Sequence, residues 1–256
     1  MRVNQIDASS GADYFFIYYN NSNAQDIQDK EGTYDASTRG VWHMNESSGS
    51  LDDASSANLD ASPTYTPTYA QTGIIGRAID LDGAASNSDV FQTADNGGMP
   101  QNYTFSGWIR PDTTTPTGGF GRSILSSSTP SSSAAYGLWF MAENSNLRLR
   151  TYETSSGGTS IITTSNLISN ANWHFVTISA VQGGTSRIYI NGVQNASGSN
   201  DGETTSSAGW VFGDLRPGRF LPFDGLIDEF RMDYTQRSAN WVNAQYYSES
   251  DQLLTY

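Results

Sequence analysis

The nearest candidates for moving protons in this 256-residue chain are two adjacent carboxylates, Asp228 and Glu229, and its two histidines, His43 and His174. Hydrolysis of a glycosidic bond uses two carboxyl groups, one as acid and one as nucleophile or base. On a strand, such a pair must occupy alternate positions so that both face the same cleft. Asp228 and Glu229 are neighbours, so a regular strand sends them to opposite faces and they cannot work together. His43 and His174 lie in strand-like sequence between large apolar residues (Trp42 and Met44, Trp173 and Phe175), the setting of a core or supporting histidine. Serine is abundant, but no Gly-x-Ser-x-Gly elbow presents one as a nucleophile. The chain has no cysteine, which removes disulfides, Cys-based zinc sites and thiol chemistry. No catalytic residue is expected.

Binding chemistry is better represented. Asp52, Asp53 and Asn58 supply oxygens from one irregular loop, the arrangement Ca2+ favours. The same Asp53 would equally suit an Asx turn, its carboxylate accepting from backbone N–H groups. Folding 136–153 about Glu143-Asn144-Ser145-Asn146 sets Trp139 opposite Arg150 and Met141 opposite Arg148. Leu138, Phe140, Leu147 and Leu149 then share the other face. With Arg187 and Tyr189 assigned to a neighbouring strand, these side chains form a ring-bearing, locally positive surface in a chain of net charge −13. Guanidinium groups gathered in this way pair with carboxylate or sulfate, pointing to an acidic polysaccharide. The competing reading is a cross-strand cation–π pair of Trp139 and Arg150, worth about 0.5–1 kcal/mol, with arginine stems covering strand surface. A second candidate surface is the loop 215–223, with Arg216, Arg219, Phe220 and Phe223, serving either recognition or as a plug at the end of the fold.

The elements that must hold these residues are strands. Aromatic residues make up 12% of the chain and charged residues 15%, with much Gly, Ser, Thr and Asn, a mixture that suits short strands and tight turns. Strand signals fall at 14–19, 40–44, 78–82, 88–92, 103–110, 122–126, 136–142, 147–153, 160–164, 173–181, 186–190, 208–213 and 226–232. A turn is expected at Gly183-Gly184, and Asn191-Gly192 is a favoured type I′ pair. Residues 24–32 suggest a short helix, and 62–72, with Pro63 and Pro67, read as a surface loop. Helical spacing occurs at 238–248, with Ser238 as N-cap. The spacing predicts an all-β antiparallel sandwich with one short C-terminal helix.

The order of motifs then resembles a family. Gly40-Val41-Trp42-His43-Met44-Asn45-Glu46 with the 53–61 loop, Gly73-Ile74-Ile75-Gly76-Arg77-Ala78-Ile79-Asp80-Leu81-Asp82-Gly83 and Tyr103-Thr104-Phe105-Ser106-Gly107-Trp108-Ile109-Arg110-Pro111 come first. Asn172-Trp173-His174-Phe175-Val176, Arg187-Ile188-Tyr189-Ile190-Asn191-Gly192-Val193 and Phe223-Asp224-Gly225-Leu226-Ile227-Asp228-Glu229-Phe230-Arg231 follow. Together they resemble the laminin-G-like modules of the concanavalin A-like lectin/glucanase superfamily over roughly 40–250. The resemblance implies a two-sheet jelly roll with a concave face. It also implies a Ca2+ ion where Asp53, Asn58 and Asp228 meet, although Ala57 stands where many relatives carry Asn. Residues 14–38 resemble the tail of a domain that precedes such modules in exported bacterial proteins. That gives 1–38 as an N-terminal extension and 39–256 as the sandwich, within a longer extracellular or cell-surface chain. Glucanases of this architecture carry Glu-x-Asp-x-x-Glu, which is missing here.

The expected function is non-catalytic carbohydrate binding, with protein–protein adhesion or a spacer role as the alternative class and a polysaccharide-degrading enzyme third. The acidic balance, 26 Asp and Glu against 13 Lys and Arg, argues against nucleic acid as a partner and suggests a solvated coat. No apolar run reaches membrane-spanning length.

Overall fold

The computed structural model describes residues 21–23, 25, 29, 32–84, 89–95, 98, 100–116, 121–128, 137–154, 157–162, 167–200, 209–215 and 221–252. Eight strands form one antiparallel sheet, in the order β13 (Val193–Asn200), β12 (Gly184–Ile190), β11 (His174–Val181), β6 (Asn102–Pro111), β15 (Asp224–Asp233), β4 (Arg77–Asp82) and β3 (Thr68–Thr72), with β1 (Thr38–Trp42) also on β15. Seven form the other: β10 (Gly157–Ile162), β9 (Asn146–Thr154), β8 (Gly137–Glu143), β7 (Arg122–Ser128), β14 (Val211–Phe212), β5 (Val90–Thr93) and β2 (Ala61–Thr64). Helix α1 (Ala239–Glu249) closes the described chain, its first turn capped by the Ser238 side chain on Trp241 N. This is the expected all-β sandwich with one C-terminal helix.

Alternation along each strand builds the core. Ile79, Phe105, Ile109, Val176, Ile178, Ile188 and Ile227 of the eight-stranded sheet meet Phe91, Leu125, Leu138, Phe140, Leu149 and Phe212 of the seven-stranded one. The outward residues Trp108, Phe175 and Tyr189 of the eight-stranded sheet are closed over by Val242 of α1.

Turn chemistry sets the registers. Asn144 and Ser145 have φ of 47° and 63°, and Asn191 and Gly192 of 50° and 76°, which are the type I′ signs that match strand twist. As a result Trp139 pairs with Arg150 and Met141 with Arg148, the register expected from the sequence. The β11–β12 turn uses Gln182-Gly183, one residue earlier than expected.

Three strands were not apparent in the sequence. The segment 62–72, expected as a loop, carries most of β2 and all of β3, one in each sheet. Pro63 is tolerated because β2 is an edge strand. The polar strand β13 is likewise an edge, held by its ladder with β12 rather than by apolar alternation. The expected strand at 14–19 lies outside the described residues, as does most of 24–32.

At the centre of the eight-stranded sheet, β15 pairs with β6 on one side and on the other with β4 through Ile227 and β1 from Phe230. Between those two halves its register with β6 slips, and Glu229 takes φ of 50°. This bulge turns Phe230 into the core over Gly107, where a Cβ would lie 2.2 Å from Phe230 Cδ1. Gly107→Ala is therefore expected to lower stability by about 1–3 kcal/mol, as overpacking does, read as a shift of the urea midpoint. An unchanged midpoint would show that the bulge has room to give.

Candidate ligand-binding face and the acid clusters around it

The outer face of the seven-stranded sheet is built on the β8–β9 hairpin. The Arg150 guanidinium lies over the Trp139 ring at 5.7 Å, and Arg148 Nε meets Glu143 Oε2 at 2.9 Å. Trp139 is only 6% exposed, because Leu215 and Leu221 pack over it and Met141. Those two leucines come from the loop that returns across this face between β14 and β15. Asp214 Oδ1 pins that loop by accepting from Leu215 N at 2.6 Å and Leu221 N at 2.9 Å. Ser126 Oγ donates to Asp214 O, Ser123 N to Leu221 O, and Arg122 Nη1 to Pro222 O. The described part of the loop 215–223 thus seals the middle of the face, and Ser123, Ser126 and Val211 are buried beneath it. The open margins are Arg148 and Arg150 on one side and Gln92 and Ser62 on the other.

Two expected partners of this face lie elsewhere. Arg187 and Tyr189 belong to β12 in the other sheet, with the core between them and Trp139. Tyr189 is buried with Trp108, Phe175 and Val242, and Arg187 Nη1 turns back to Thr185 O at 3.3 Å. Alternation told which way these side chains point within a strand but not which sheet the strand joins. Arg219 and Phe220 lie outside the described residues.

Of the three expected calcium ligands, Asp53 and Asn58 share one turn and Asp228 holds another. Asp53 Oδ1 accepts from Val41 N and Ser55 N, and Oδ2 from Ser55 Oγ and Leu59 N, at 2.8–2.9 Å. Donor hydrogens thus surround a carboxylate whose lone pairs a cation would need. Asn58 sits at φ of 53° in the turn that Asp53 organises. Asp228 serves another segment: its Oδ2 accepts from Ile74 N at 2.7 Å and Ile75 N at 3.1 Å, fixing the turn that leads into β4. Among the described residues, no group of three or more His, Asp or Glu is arranged to hold a metal. Asp53 and Asn58 fit an Asx-type turn better than the ion, and Asp228 staples a loop through one of its two oxygens.

The β15 bulge corrects the expectation that Asp228 and Glu229 face opposite ways. Both carboxyls lie on the α1 side of their sheet, where the charge of Glu229 adds to what raises Asp228. Glu229 Oε2 meets His43 Nδ1 at 2.7 Å, and His43 Nε2 meets Tyr34 Oη at 3.3 Å. Glu249 of α1 accepts from Trp108 Nε1 at 2.8 Å and Gln245 Nε2 at 2.7 Å. Burial pushes Asp228 and Glu249 up to about 7, and the bond to Glu229 pushes His43 up. His43 is half-exposed rather than a core residue. His174 is the supporting histidine expected: it is buried, burial lowers its pKa, and its Nε2 accepts from Ser169 N. Asp228 is fully buried under the Ile74 and Ile75 amides, so it and Glu229 do not open together onto a cleft.

A sandwich whose sheets pair in this order is the architecture of concanavalin A-like lectins, and a family model described as "Concanavalin A-like lectin/glucanases superfamily" matches residues 85–243. The chain belongs to that family. Among solved structures it is similar to domain 4 of AbnA, a GH43 extracellular arabinanase from Geobacillus stearothermophilus, in complex with arabinotriose. That similarity is 23% identity over 80% of this chain and 96% of that one, with a TM-score of 0.62. The binding domain of Paraclostridial Mosquitocidal Protein 1 is 18% identical (TM-score 0.65), and the botulinum neurotoxin serotype D binding domain 17% (TM-score 0.63). This chain is matched over 83% and 86% of its length by those two, of whose chains it spans 52% and 53%. A comparison with curated protein sequences finds no match. No helix among the described residues is long and apolar enough to cross a membrane.

Two outcomes test these assignments. Asp53→Ala strands several buried N–H groups and is expected to cost about 3 kcal/mol or more, equally in calcium and in chelator. A cost confined to calcium-loaded protein would return the ion to this loop. The second outcome concerns pH. Asp228 and Glu249 hold their protons more tightly folded than unfolded, so the stability they contribute is complete below about pH 4 and is lost as pH rises through about 7. His43, raised above its ordinary 6.5, acts in the same direction, stabilising at low pH and losing that effect above its folded value. The Tm is expected to fall between pH 5 and pH 8, and Glu249→Gln to flatten that fall. An undiminished slope in the variant would show that these acids do not control it.

Proposed function

We propose that this chain is a non-catalytic carbohydrate-binding module of an exported bacterial protein, working at the cell surface or outside the cell. The observation that carries the reading is the outer face of the seven-stranded sheet, where Arg150 and Arg148 border a covered Trp139 and no pair of carboxylates stands ready. Its strands hold two acidic residues, Glu143 and Glu153, and Glu143 is engaged with Arg148. Glycoside hydrolysis needs two carboxyl groups about 5–9.5 Å apart across the scissile bond, and no such pair is found on this face among the described residues. Family membership supports the same reading, as does the likeness to an arabinanase domain bound to arabinotriose and to two toxin binding domains.

The acidic-polysaccharide form of the proposal requires Arg148 to exchange Glu143 for a ligand carboxylate or sulfate. Such an exchange replaces one ion pair by another and gains little. Neutral glycans therefore fit this face better. The alternative of a protein-adhesion or spacer domain draws support from one observation: the Trp139 ring that would stack on a sugar lies under Leu215 and Leu221.

Electrophoresis through gels cast with arabinan, galactan, mixed-linkage glucan, alginate or sulfated galactan separates these readings. Retardation by a neutral polysaccharide, little changed by salt and by chelator, is expected, with no release of reducing ends. Passage through every gel without delay would favour the adhesion domain, and release of reducing sugar would overturn the non-catalytic reading.

A further inference from the structure

We infer that Tyr65, at the tip connecting β2 to β3, is a stacking platform for the ring of a neutral saccharide. The inference rests on the reading of the chain as a carbohydrate-binding module and places a contact that the sheet face does not contain. Tyr65 is 50% exposed, the most exposed aromatic side chain among the described residues. Its φ is 65°, in the left-handed region, where a bulky side chain without hydrogen-bonding capacity near its Cα is costly. Gly or Asn would occupy this conformation with less strain. A strained backbone that displays a large ring to solvent has no packing explanation, because the ring is not in the core.

The surroundings hold the backbone beside that ring in place. Thr66 N donates to Asp89 Oδ1 at 2.9 Å, and Asp89 is itself buried. Pro63 and the buried Pro67 restrict the backbone on either side. The two strands leading from the tip pair into different sheets, β2 with β5 and β3 with β4. Just beyond, Tyr69 packs edge-on against Phe91 at 6.0 Å and donates its hydroxyl to Gly49 O. A ligand meeting Tyr65 therefore finds the backbone that carries the ring already ordered, and less entropy is lost on contact.

Charge selects the ligand class. Asp89 lies under the tip and is coupled to Asp82, while Asp80, Asp112 and Asp224 interact with one another and with these two at the same end of the sandwich. Arg110 and Arg122 offset part of this charge. An anionic sugar approaching Tyr65 meets repulsion, whereas the C–H face of a neutral furanose or pyranose is drawn to the negative face of the ring.

The test compares Tyr65→Asn, which suits the left-handed backbone but removes the ring, with Tyr65→Phe, which keeps it. On whichever neutral polysaccharide gel retards the parent chain most, Tyr65→Asn is expected to weaken retention by at least about fivefold, the scale of one aromatic contact. Its Tm should be unchanged or raised, while Tyr65→Phe keeps retention within about twofold. Retention of the Asn variant equal to the parent's overturns the inference and leaves the module reading intact. Equal losses in both variants also overturn it, because the ring face is then not the contact. If the parent chain is retarded by no neutral polysaccharide, this inference falls together with the neutral-glycan reading on which it rests.

Discussion

Strands satisfy their own amide groups by pairing, but every loop that leaves a sheet brings N–H groups into a crowded interior where water does not reach them. In this sandwich aspartates meet that demand. Asp53 gathers two backbone N–H groups and a hydroxyl from its own loop and the Val41 N–H of β1, Asp214 pins both ends of the loop across the seven-stranded sheet, and Asp228 holds the turn before β4. Asp89 does the same for the β2–β3 tip. All four are buried. A carboxylate accepting several N–H bonds makes charge-assisted contacts, and removing it strands several donors at once. Aspartate suits this task better than glutamate, since one methylene puts its oxygens within reach of the local backbone. Part of the chain's acidity is therefore internal scaffolding, not only the solvated coat that composition suggested.

That use of aspartate also explains why an Asp-rich loop can suggest calcium. An Asp-rich loop presents the same letters whether its oxygens face a cation or a set of amide hydrogens. What separates the two cases is the path of the backbone from Asp53 to Leu59, with Asn58 left-handed, and no spacing rule specifies that path. By contrast, the β8–β9 hairpin could be read in full: a two-residue type I′ turn fixes the register, and the register fixes which residues share a face. The same held for the Asn191-Gly192 turn and the Ser238 cap, where local chemistry alone decides the structure.

Long-range facts were harder to read. Arg187 and Tyr189 were correctly placed on the face of β12 away from its apolar neighbours, but sheet membership depends on pairing with β11 and β13 rather than on alternation. The β15 bulge broke a rule that regular strands obey. One extra residue at Glu229 let consecutive acids share a side and sent Phe230 inward over Gly107. Edge strands such as β2 and β13 carry little signal because one side of their ladder and much of their surface meet solvent.

The consequence for function lies in how the two outer faces are closed. Helix α1 covers the eight-stranded sheet through Val242, and the loop carrying Leu215 and Leu221 covers the centre of the seven-stranded one. Among the described residues, the middle of each outer face is therefore covered. What stays accessible is peripheral: the Arg148 and Arg150 margin and the tips fastened by buried aspartates. On the proposed reading as a carbohydrate-binding module, recognition would fall to short loop positions held by these contacts. On that reading, the acidic residues around the β2–β3 tip would weigh against anionic ligands there.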